Sequence, residues 1–472
     1  MSHNTQADDP PTVAPSPDRV RRLPPRPVPP ERRRFYLSIP DKFVLALLLA
    51  VAWTTFSVWL SQGWRADLGE VTHPVFALVV IVLIAHVPGF MNAFLLGSLL
   101  FDSRPVRVRP DVYPPVTVLV AAYNEAAHIG HTIRSLAGQH YPGPLEVLIL
   151  NDGSTDANVA MAEQAIAKLG ASCPVDFRVL DYTPNAGKSV VLNRGLAHAR
   201  HALVATLDAD CWLREDAMAQ VVERILSDPA HTQAVAGAVL VRNSRTNFLT
   251  RAQEWDYFHG IAAVKRMQSM YQGVLVAQGA FSLYRRAALE AVGGWPDCVG
   301  EDIVVSWAML RRDWRIGYAE DAVCFTNAPT TLRAFALQRK RWSRGLIEAF
   351  KAHGRLLFKP RLTTLFVWWN LCFLPLDLIY TLVFIPGLIL ALFGVFWIAG
   401  PITLAVLPLA AFWNLFIYRI QSRMFRESGL KVRRNFAGFL FYAVGYSLMM
   451  QPISVWGYGA ELLGARKQWG GK

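Results

Sequence analysis

The sequence has little charge and little cysteine for its length. Only 18% of its 472 residues are charged, whereas a soluble chain usually carries about 25%. The five cysteines are odd in number and irregularly spaced, so they predict neither a disulfide framework nor a zinc site. Acidic residues are also scarce, 35 against 48 Lys plus Arg. These shortages exclude a disulfide-stapled domain and an acidic disordered chain, and they favour a reducing compartment.

Long apolar runs and an excess of positive charge are present instead. Hydrophobic residues make up 53% of the chain, the mean hydropathy is +0.25 and the formal net charge is +13. Because the apolar residues are concentrated in a few runs, the composition indicates an integral membrane protein. A basic balance favours nucleic acid or an anionic membrane surface as partner. The arginines of the amino-terminal tail lack interleaved aromatics, so we expect a lipid bilayer and no nucleic acid.

The first hundred residues predict a tail and two membrane crossings. Residues 1–40 are rich in proline and arginine and cannot bury a core, so we expect a disordered cytoplasmic tail near anionic lipid. Residues 41–103 contain two apolar runs, 43–60 and 74–101, each long enough to cross a bilayer. Basic residues flank the pair on both outer sides, which places both flanks in the cytoplasm.

Residues 104–330 have the pattern of a cytosolic α/β domain. Short β-branched runs alternate with helical stretches, which predicts a parallel sheet wrapped by helices. Ligands bind such sheets at the carboxyl ends of the strands. Four polar residues fall at predicted strand ends: Asn124, Asp152, Asp208 and Asp210. We therefore expect the functional site at that edge.

The rest of the chain returns to the membrane. Residues 331–361 combine apolar residues at helical spacing with a basic face, which predicts an amphipathic helix on the membrane surface. Residues 362–464 predict about three further spans, with an interfacial or broken segment near Pro375, and 465–472 form a basic tail. Five spans in total put the carboxyl terminus outside, whereas the basic tail favours the inside, and the sequence leaves this conflict open.

Acidic pairs and a lysine supply the first candidate chemistry. Asp208 and Asp210 stand one residue apart after an apolar strand, where they could hold a divalent cation and its diphosphate, or form a solvated turn. Asp152 in NDGS could accept a hydrogen bond from a uracil or ribose, or serve only the turn. NAGKS lacks the first glycine of a P-loop, since that position is Tyr182. Lys188 instead opens a helix, where an anion is favoured.

Two later motifs also carry alternatives. In GED at 300–302, a carboxylate at a helix start is either a cap or a general base. In QRKRW at 338–342, the basic residues either snorkel to lipid, or Arg341 binds a diphosphate and Trp342 lies under a sugar ring. None of these motifs decides the chemistry alone.

The ordered set NDGS, K-x-x-x-x-N, DAD, GED and QRKRW between membrane spans resembles one family. It is similar to the family 2 glycosyltransferases that act as processive membrane polysaccharide synthases of cellulose, chitin, hyaluronan and poly-N-acetylglucosamine. The resemblance covers roughly 105–360. It implies an α/β fold: a GT-A type, Rossmann-like domain inserted between transmembrane helices, with interfacial amphipathic helices.

The resemblance also implies a role for each matching residue. Asp302 would be the catalytic base, with Glu301 beside it, and Asp210 would hold Mg²⁺ or Mn²⁺. The residues implied to bind the UDP-sugar donor are Tyr123, Glu125, Asp152, Lys188, Asn193, Asp208 and Arg341. The residues implied to bind the acceptor are Gln338, Trp342, Gly279 and Ala280.

The residues around GED and QRKRW look most similar to those of bacterial poly-β-1,6-N-acetylglucosamine synthases. This similarity implies that UDP-N-acetylglucosamine is polymerised into a β-linked polysaccharide and extruded across a bacterial inner membrane. Synthesis of chitin, hyaluronan or a glucan, sugar transfer to a lipid phosphate, and an inactive scaffold are the alternatives. The implied partners are the UDP-sugar, the growing polysaccharide and the bilayer, with a small membrane subunit and periplasmic export proteins left open.

Overall fold

The computed structural model describes residues 37–102, 107–427, 429–430 and 432–466, and within them no side chain at 401–410 or 424. The predicted tail lies outside this description up to residue 36. The last basic residues, 467–472, also lie outside it.

Four helices precede the α/β domain: α1 (Ile39–Leu60), α2 (Gln62–Val71), α3 (Pro74–Ile81) and α4 (Val87–Leu100). A π-helical turn, Val82–His86, joins α3 and α4 into one helix of 27 residues. Pro88 follows that turn and has no N–H to donate, so the helical ladder changes register there. The second apolar run therefore forms a continuous helix with a local irregularity.

The first four strands match their sequence predictions almost to the residue: β1 (Val116–Ala122), β2 (Leu145–Asp152), β3 (Val175–Tyr182) and β4 (Leu203–Asp208). They pair in parallel in the order β3-β2-β1-β4. The apolar residues of β1, β2 and β4 are buried on both faces, as in sheets covered by helices on each side, whereas the edge strand β3 is mostly half-buried. Their carboxyl ends consequently meet at one edge.

The second half of the sheet corrects the prediction of a purely parallel sheet. It consists of β5 (Trp212–Leu213), β6 (Thr232–Val241), β7 (Phe281–Arg285) and β8 (Arg315–Thr326). The complete order is β3-β2-β1-β4-β7-β6-β8-β5, and β7 runs antiparallel to both of its neighbours. The sheet is therefore mixed, because β7 enters its centre from the opposite direction.

Helices cover both faces of the sheet: α5 (Ile129–Ala137), α6 (Asn158–Ala167), α7 (Lys188–His198), α8 (Ala217–Ser227), α9 (Phe248–Trp255), α10 (Val264–Met270), α11 (Arg286–Val292) and α12 (Glu301–Arg311). A π-helical segment, Asp256–Ala263, joins α9 to α10. One apolar core runs from α1 and α4 into the α/β domain. There the Tyr271 hydroxyl lies 3.1 Å from Ser98 Oγ, so the apolar helices α1 and α4 pack directly on the domain.

The carboxyl-terminal part is helical: α13 (Leu332–His353), α14 (Thr364–Ile379), α15 (Ile385–Leu392), α16 (Pro401–Glu427), α17 (Phe436–Val444) and α18 (Tyr446–Leu462). The break expected near Pro375 is absent, because α14 continues through that residue. The irregularity comes later, as a π-helical turn, Tyr380–Phe384, just before Pro386. The amphipathic helix expected over 331–361 begins as α13, and its place on a membrane surface stays a prediction.

In the described part of the chain, three helices are long and apolar enough to cross a membrane: Ile39–Leu60, Pro74–Leu100 and Thr364–Leu392. The pair α17 and α18, bent by 52°, is a fourth candidate if it acts as one span. Three to four such helices agree with the approximate number expected from the sequence.

Candidate active site

The polar residues predicted at strand ends do meet at one edge of the sheet. Asn124 follows β1 with a left-handed φ of 57°. Its Oδ1 accepts a 2.8 Å hydrogen bond from the backbone of Thr155, and its N–H donates to Ser154 Oγ at 2.9 Å. These bonds connect the loop after β1 to the loop after β2, so the two loops hold each other in a defined position at this edge.

Asp152, at the end of β2, holds the loop that leads to Lys188. Its carboxylate accepts backbone N–H groups from Ala186 at 2.8 Å and from Gly187 at 2.9 Å. The Asn185 side chain donates to the same carboxylate at 3.1 Å. Gly153 makes this approach possible, because a Cβ there would lie 2.5 Å from the backbone nitrogen of Asn185. Asp152 therefore organises the predicted nucleotide side of the site.

Lys188 joins two carboxylates that are far apart in sequence. Its Nζ lies 2.5 Å from Asp208 Oδ1 and 3.5 Å from Glu301 Oε1. Burial lowers the pKa of Lys188, but Asp208 and Glu301 outweigh it and hold the pKa above its ordinary value. Burial raises the pKa of Glu301 to about 7, against the positive charges of Lys188 and Arg341. These charged groups form a compact cluster at the edge of the sheet where the parallel strands end.

Asp208 and Asp210 fit a hard divalent cation. Ligand atoms of Asp208, Asp210 and Cys211 all lie within 4.8 Å of one another. Oxygen ligands suit Mg²⁺ or Mn²⁺, and these cations usually share their coordination with substrate phosphates. A hydrogen bond with Cys324 and burial raise the pKa of the Cys211 thiol, which disfavours the thiolate that a metal needs. The two aspartates are therefore the fitting ligands.

Gly279 and Ala280 lie between the two carboxylate pairs. The Ala280 carbonyl accepts the Asp208 N–H at 3.3 Å, and the Gly279 N–H donates to Asp302 Oδ2 at 3.2 Å. A Cβ on Gly279 would lie 2.7 Å from Lys188 Nζ. The predicted acceptor loop thus lines the gap between Asp208 and the predicted base, and a side chain at position 279 would displace the end of Lys188.

A direct contact between two helices brings Asp302 next to the QRKRW segment. Gly300 precedes α12, and a Cβ there would lie 2.4 Å from the Cα of Gly345 on α13. Glu348, one turn further along α13, accepts the backbone N–H groups of Val299 at 3.2 Å and Gly300 at 2.8 Å. α13 therefore caps the start of α12 and sets the position of Asp302.

The QRKRW residues occupy different surroundings on α13. Arg341 is half-buried, and its charge acts on Glu301. Gln338 Oε1 is buried and accepts no hydrogen bond from the residues that the structure describes. Trp342 is 40% exposed. Arg339 is 2% exposed, so part of the basic face predicted to reach lipid points into the protein.

A family comparison explains this arrangement. The sequence profile described as "Glycosyltransferase like family 2" matches residues 114–345, which include every candidate site residue. This segment is a family 2 glycosyltransferase domain.

Two curated relatives of this chain are named poly-β-1,6-N-acetyl-D-glucosamine synthases. The chain is 34% identical over 269 residues to the poly-β-1,6-N-acetyl-D-glucosamine synthase of Staphylococcus aureus (strain COL), covering 55% of this chain and 63% of that protein. It is 34% identical over 231 residues to the synthase of the same name from Staphylococcus epidermidis, covering 49% and 54%. The matched region is thus less than two thirds of these relatives' length.

A solved structure shares the fold of the glycosyltransferase domain and its helices. A mannosyltransferase from Pyrobaculum calidifontis, in complex with GDP-Man and Mn²⁺, superposes with a TM-score of 0.56. The two chains are 20% identical, and the match covers 82% of this chain and 99% of that one. The comparison supports the GT-A type fold expected from the sequence.

Within the glycosyltransferase domain, most of the predicted residues lie at the same edge of the sheet, and Asn193 does not. Described contacts bring Lys188, Asp208, Gly279, Ala280, Glu301 and Asp302 together. Tyr123 and Glu125 lie in the loop after β1, at the same edge. The Asn193 side chain instead contacts the loop that leads to α12. It donates to the Trp295 carbonyl at 2.7 Å and accepts the Trp295 backbone N–H at 2.9 Å. Its contact with nucleotide stays a prediction.

Sequence reasoning missed several residues that support the site. Glu348 holds the loop before α12. Lys265 lies behind the acceptor loop, where its Nζ donates to the Val276 carbonyl at 2.9 Å and to Gln278 Oε1. Burial lowers the pKa of Lys265 to about 7, and Asp302 opposes that shift. Nothing in the sequence singled out Lys265, because Arg266, a second cation, follows it directly in the same helix.

Proposed function

We propose that the chain is a membrane polysaccharide synthase that transfers N-acetylglucosamine from UDP-N-acetylglucosamine to a growing β-linked chain. One observation carries the proposal: Asp302 contacts the acceptor loop, and Lys188 and Glu301 connect it to the metal-binding aspartates. The similarity to the two staphylococcal synthases supports the sugar. Processive transfer is part of the proposal, because QRKRW lies on the helix that packs against the start of α12, where Asp302 stands.

The geometry suits an inverting displacement. Asp302 takes the proton from the acceptor hydroxyl, whose oxygen then bonds to the anomeric carbon. The bond from that carbon to the β-phosphate oxygen breaks, and UDP leaves with the bonding electrons. A divalent cation on Asp208 and Asp210 would stabilise the diphosphate, which then needs no proton from a general acid. Lys188 and Arg341 bring further positive charge to the same leaving group.

Contacts across the molecule support a multi-pass topology with the glycosyltransferase domain in the cytoplasm. Tyr271 of the domain packs on Phe43, near the start of α1, with ring centres 5.1 Å apart. The opposite end of the helical bundle holds α2, where the Trp64 indole donates to the Trp397 carbonyl at 3.0 Å. α16 returns to the domain, since Gln421 donates to the Phe258 carbonyl at 2.9 Å. Four crossings account for these positions: the three apolar helices named above and α16, with α17 and α18 not counted as a span.

The bent pair α17 and α18 begins and ends on the domain's side. Asn435, just before α17, donates to the Arg251 carbonyl at 2.8 Å. After α18, Arg344 of α13 donates to the Ala465 carbonyl at 2.7 Å and pairs with Glu461. The pair therefore enters and leaves the same membrane face, and the carboxyl terminus is cytoplasmic. This topology satisfies the positive-inside rule for the basic tail.

UDP release tests the activity. Purified protein in lipid nanodiscs, with Mg²⁺ or Mn²⁺, is given a panel of UDP-sugars, and released UDP and product length are measured. We expect release from UDP-N-acetylglucosamine, loss of release with EDTA, and a polymer that a β-1,6-N-acetylglucosaminidase degrades. Release from no donor would favour an inactive scaffold. A single-sugar glycolipid as product would favour transfer to a lipid phosphate.

Cysteine labelling tests the topology. A cysteine at Gly464 should react with a membrane-impermeant maleimide only in inverted membrane vesicles, and a cysteine at Gly394 only in intact spheroplasts. Both glycines are exposed and a Cβ added at either position would meet no atom within 4 Å, so the left-handed φ of 81° at Gly394 and 67° at Gly464 is the main cost of each substitution. Labelling of position 464 from outside would contradict a cytoplasmic carboxyl terminus.

A further inference from the structure

Trp342 rests on a buried arginine of its own helix. The guanidinium carbon of Arg339 lies 3.9 Å from the centre of the Trp342 ring. Arg339 is only 2% exposed, and a buried charge requires a partner. That partner is Asp256, whose Oδ2 lies 2.8 Å from Arg339 Nη2. The QRKRW segment therefore contains a second ordered cation besides Arg341.

Aromatic rings and a membrane helix hold this arginine in place. The rings of Phe335 and Tyr257 lie 5.2 and 5.8 Å from the guanidinium carbon. Asp256 also accepts the Tyr446 hydroxyl of α18 at 3.0 Å. The guanidinium is thus confined on several sides, and its plane has little freedom to rotate.

A buried tyrosine and the arginine flank Trp342, and part of its ring stays open. Its ring centre lies 6.3 Å from that of Tyr257, which is buried. Arg339 covers part of the Trp342 ring, while 40% of the residue remains exposed. The open part of the indole can receive the apolar face of a sugar ring.

We propose that Arg339 is a positioning residue, which fixes the Trp342 indole so that its open face receives the terminal sugar of a neutral oligosaccharide acceptor. Asp256 fixes Arg339 in turn. A planar guanidinium stacks on an indole, whereas an ammonium is a compact point charge that does not. Lysine at position 339 would keep the charge pair with Asp256 and lose the flat support. This inference deepens the proposed function and rests on it for the identity of the acceptor.

The variant Arg339→Lys tests the inference in the full-length protein in nanodiscs. The probe is a soluble oligosaccharide of β-linked N-acetylglucosamine, with its Kd measured by calorimetry and its half-saturating concentration measured in the transfer assay. We expect both to rise about tenfold, the size of one lost cation–aromatic support. The KM for UDP-N-acetylglucosamine should stay unchanged, because the lysine and aspartates of the donor side are untouched.

Two further variants separate positioning from folding. The double variant Arg339→Met, Asp256→Asn leaves no buried unpaired charge, so its unfolding midpoint should stay near that of the parent. Its Kd for the oligosaccharide should rise to a similar extent as that of Arg339→Lys. Lys340→Met is the matched control, because Lys340 Nζ lies 3.8 Å from the ring centre of Trp456, a similar contact made to a different indole. It should leave oligosaccharide binding unchanged.

The outcomes distinguish this inference from the proposed function. An unchanged oligosaccharide Kd in Arg339→Lys, or a fall in kcat with both KM values constant, would overturn the positioning role. Failure of the parent protein to bind the oligosaccharide would overturn it as well. Oligosaccharide binding that depends on Arg339 in a protein that releases no UDP would support the positioning role and refute the proposed transferase.

Discussion

The two sides of the site are built in different ways. The proposed donor side, with Asp152, Lys188 and Asp208, stands at the ends of parallel strands, and short loops next to those strands hold it. The proposed acceptor side, with Gly279, Asp302 and Trp342, depends on contacts between α12, α13 and the carboxyl-terminal helices. A strand end places a side chain through local geometry, whereas a helix-to-helix contact places it through residues far away in sequence.

This difference separates nucleotide binding from sugar transfer. The donor side can bind UDP while the acceptor side is disturbed, because Lys188 is the main described link between Asp208 and α12. Apart from Arg341, whose charge is assigned to the diphosphate, mutations on α12 and α13 should therefore change transfer more than UDP affinity. Mutations in the strand-end loops should do the reverse.

The largest effect is expected from Asp302→Asn. The variant loses the base that deprotonates the acceptor, so the transfer rate should fall by about 10²- to 10⁴-fold while the Kd for UDP stays unchanged. Radiolabelled sugar incorporation and UDP binding measure the two quantities. Asp313→Asn is the matched control, since Asp313 is exposed beyond the other end of α12 and pairs with Lys359. Normal transfer by Asp302→Asn would refute the assignment of the base.

Gly345→Ala should produce the next largest effect. A Cβ there would lie 2.8 Å from the Cα of Gly300, so α12 and α13 must separate. A displacement of this kind should lower the transfer rate by about 10- to 100-fold, with UDP affinity retained. Gly354→Ala is the control, because a Cβ at Gly354 meets no atom within 4 Å. Equal losses of UDP binding and transfer would show that the two sides are not separable.

Glu301 should make the stability of the metal-free protein depend on pH. Its folded pKa of about 7 lies above the ordinary glutamate value of 4.5, so between these values the folded chain holds a proton that the unfolded chain has lost. Stability should therefore fall as the pH rises from 4.5 through 7, by about 3 kcal/mol at most.

Glu301→Gln should remove this slope. Unfolding midpoints of the parent and the variant at pH 5 and pH 8 measure it, with Glu290→Gln as the control at an exposed residue that pairs with Arg286. A parent protein that becomes more stable between pH 5 and pH 8 would mean that Lys188 holds Glu301 ionised throughout.

The smallest effect is expected on the donor side, from Asn185→Ala. The exposed Asn185 side chain donates to the carbonyl of Asp152 at 2.8 Å and to its carboxylate at 3.1 Å. Because two backbone N–H groups continue to hold that carboxylate, the Kd for UDP should rise only about threefold, the low end for a single hydrogen bond. The transfer rate at saturating donor should be unchanged. A fall in that rate would show that the donor side and the acceptor side do not act independently.

Much of the donor side could be predicted from the sequence. The runs 116–123, 145–152, 176–182 and 202–210 became β1 to β4 almost to the residue, because buried parallel strands are continuous β-branched runs. Parallel strands place their carboxyl ends together, so Asp152 and Asp208 had to meet at one edge. The beginning of α7 at Lys188 followed from the glycine before it.

The rest of the site could not be predicted in this way. Nothing local in the sequence distinguishes Arg339, which is buried against Asp256, from Lys340 beside it, which contacts Trp456. Helical periodicity assigned both to one basic face, because it does not reveal which element packs on that face. The sequence likewise did not reveal that β7 runs antiparallel to its neighbours, since strand direction depends on pairing rather than on composition.

The sequence by itself determined the membrane character, the α/β domain between the spans and the order of the acidic motifs. These follow from hydropathy and strand periodicity, which are local properties of the chain. The tertiary structure decided which helix faces are buried, that Gly300 and Gly345 touch, and that Lys188 joins Asp208 to Glu301. Such contacts depend on close packing between segments distant in sequence, and no local pattern encodes that packing.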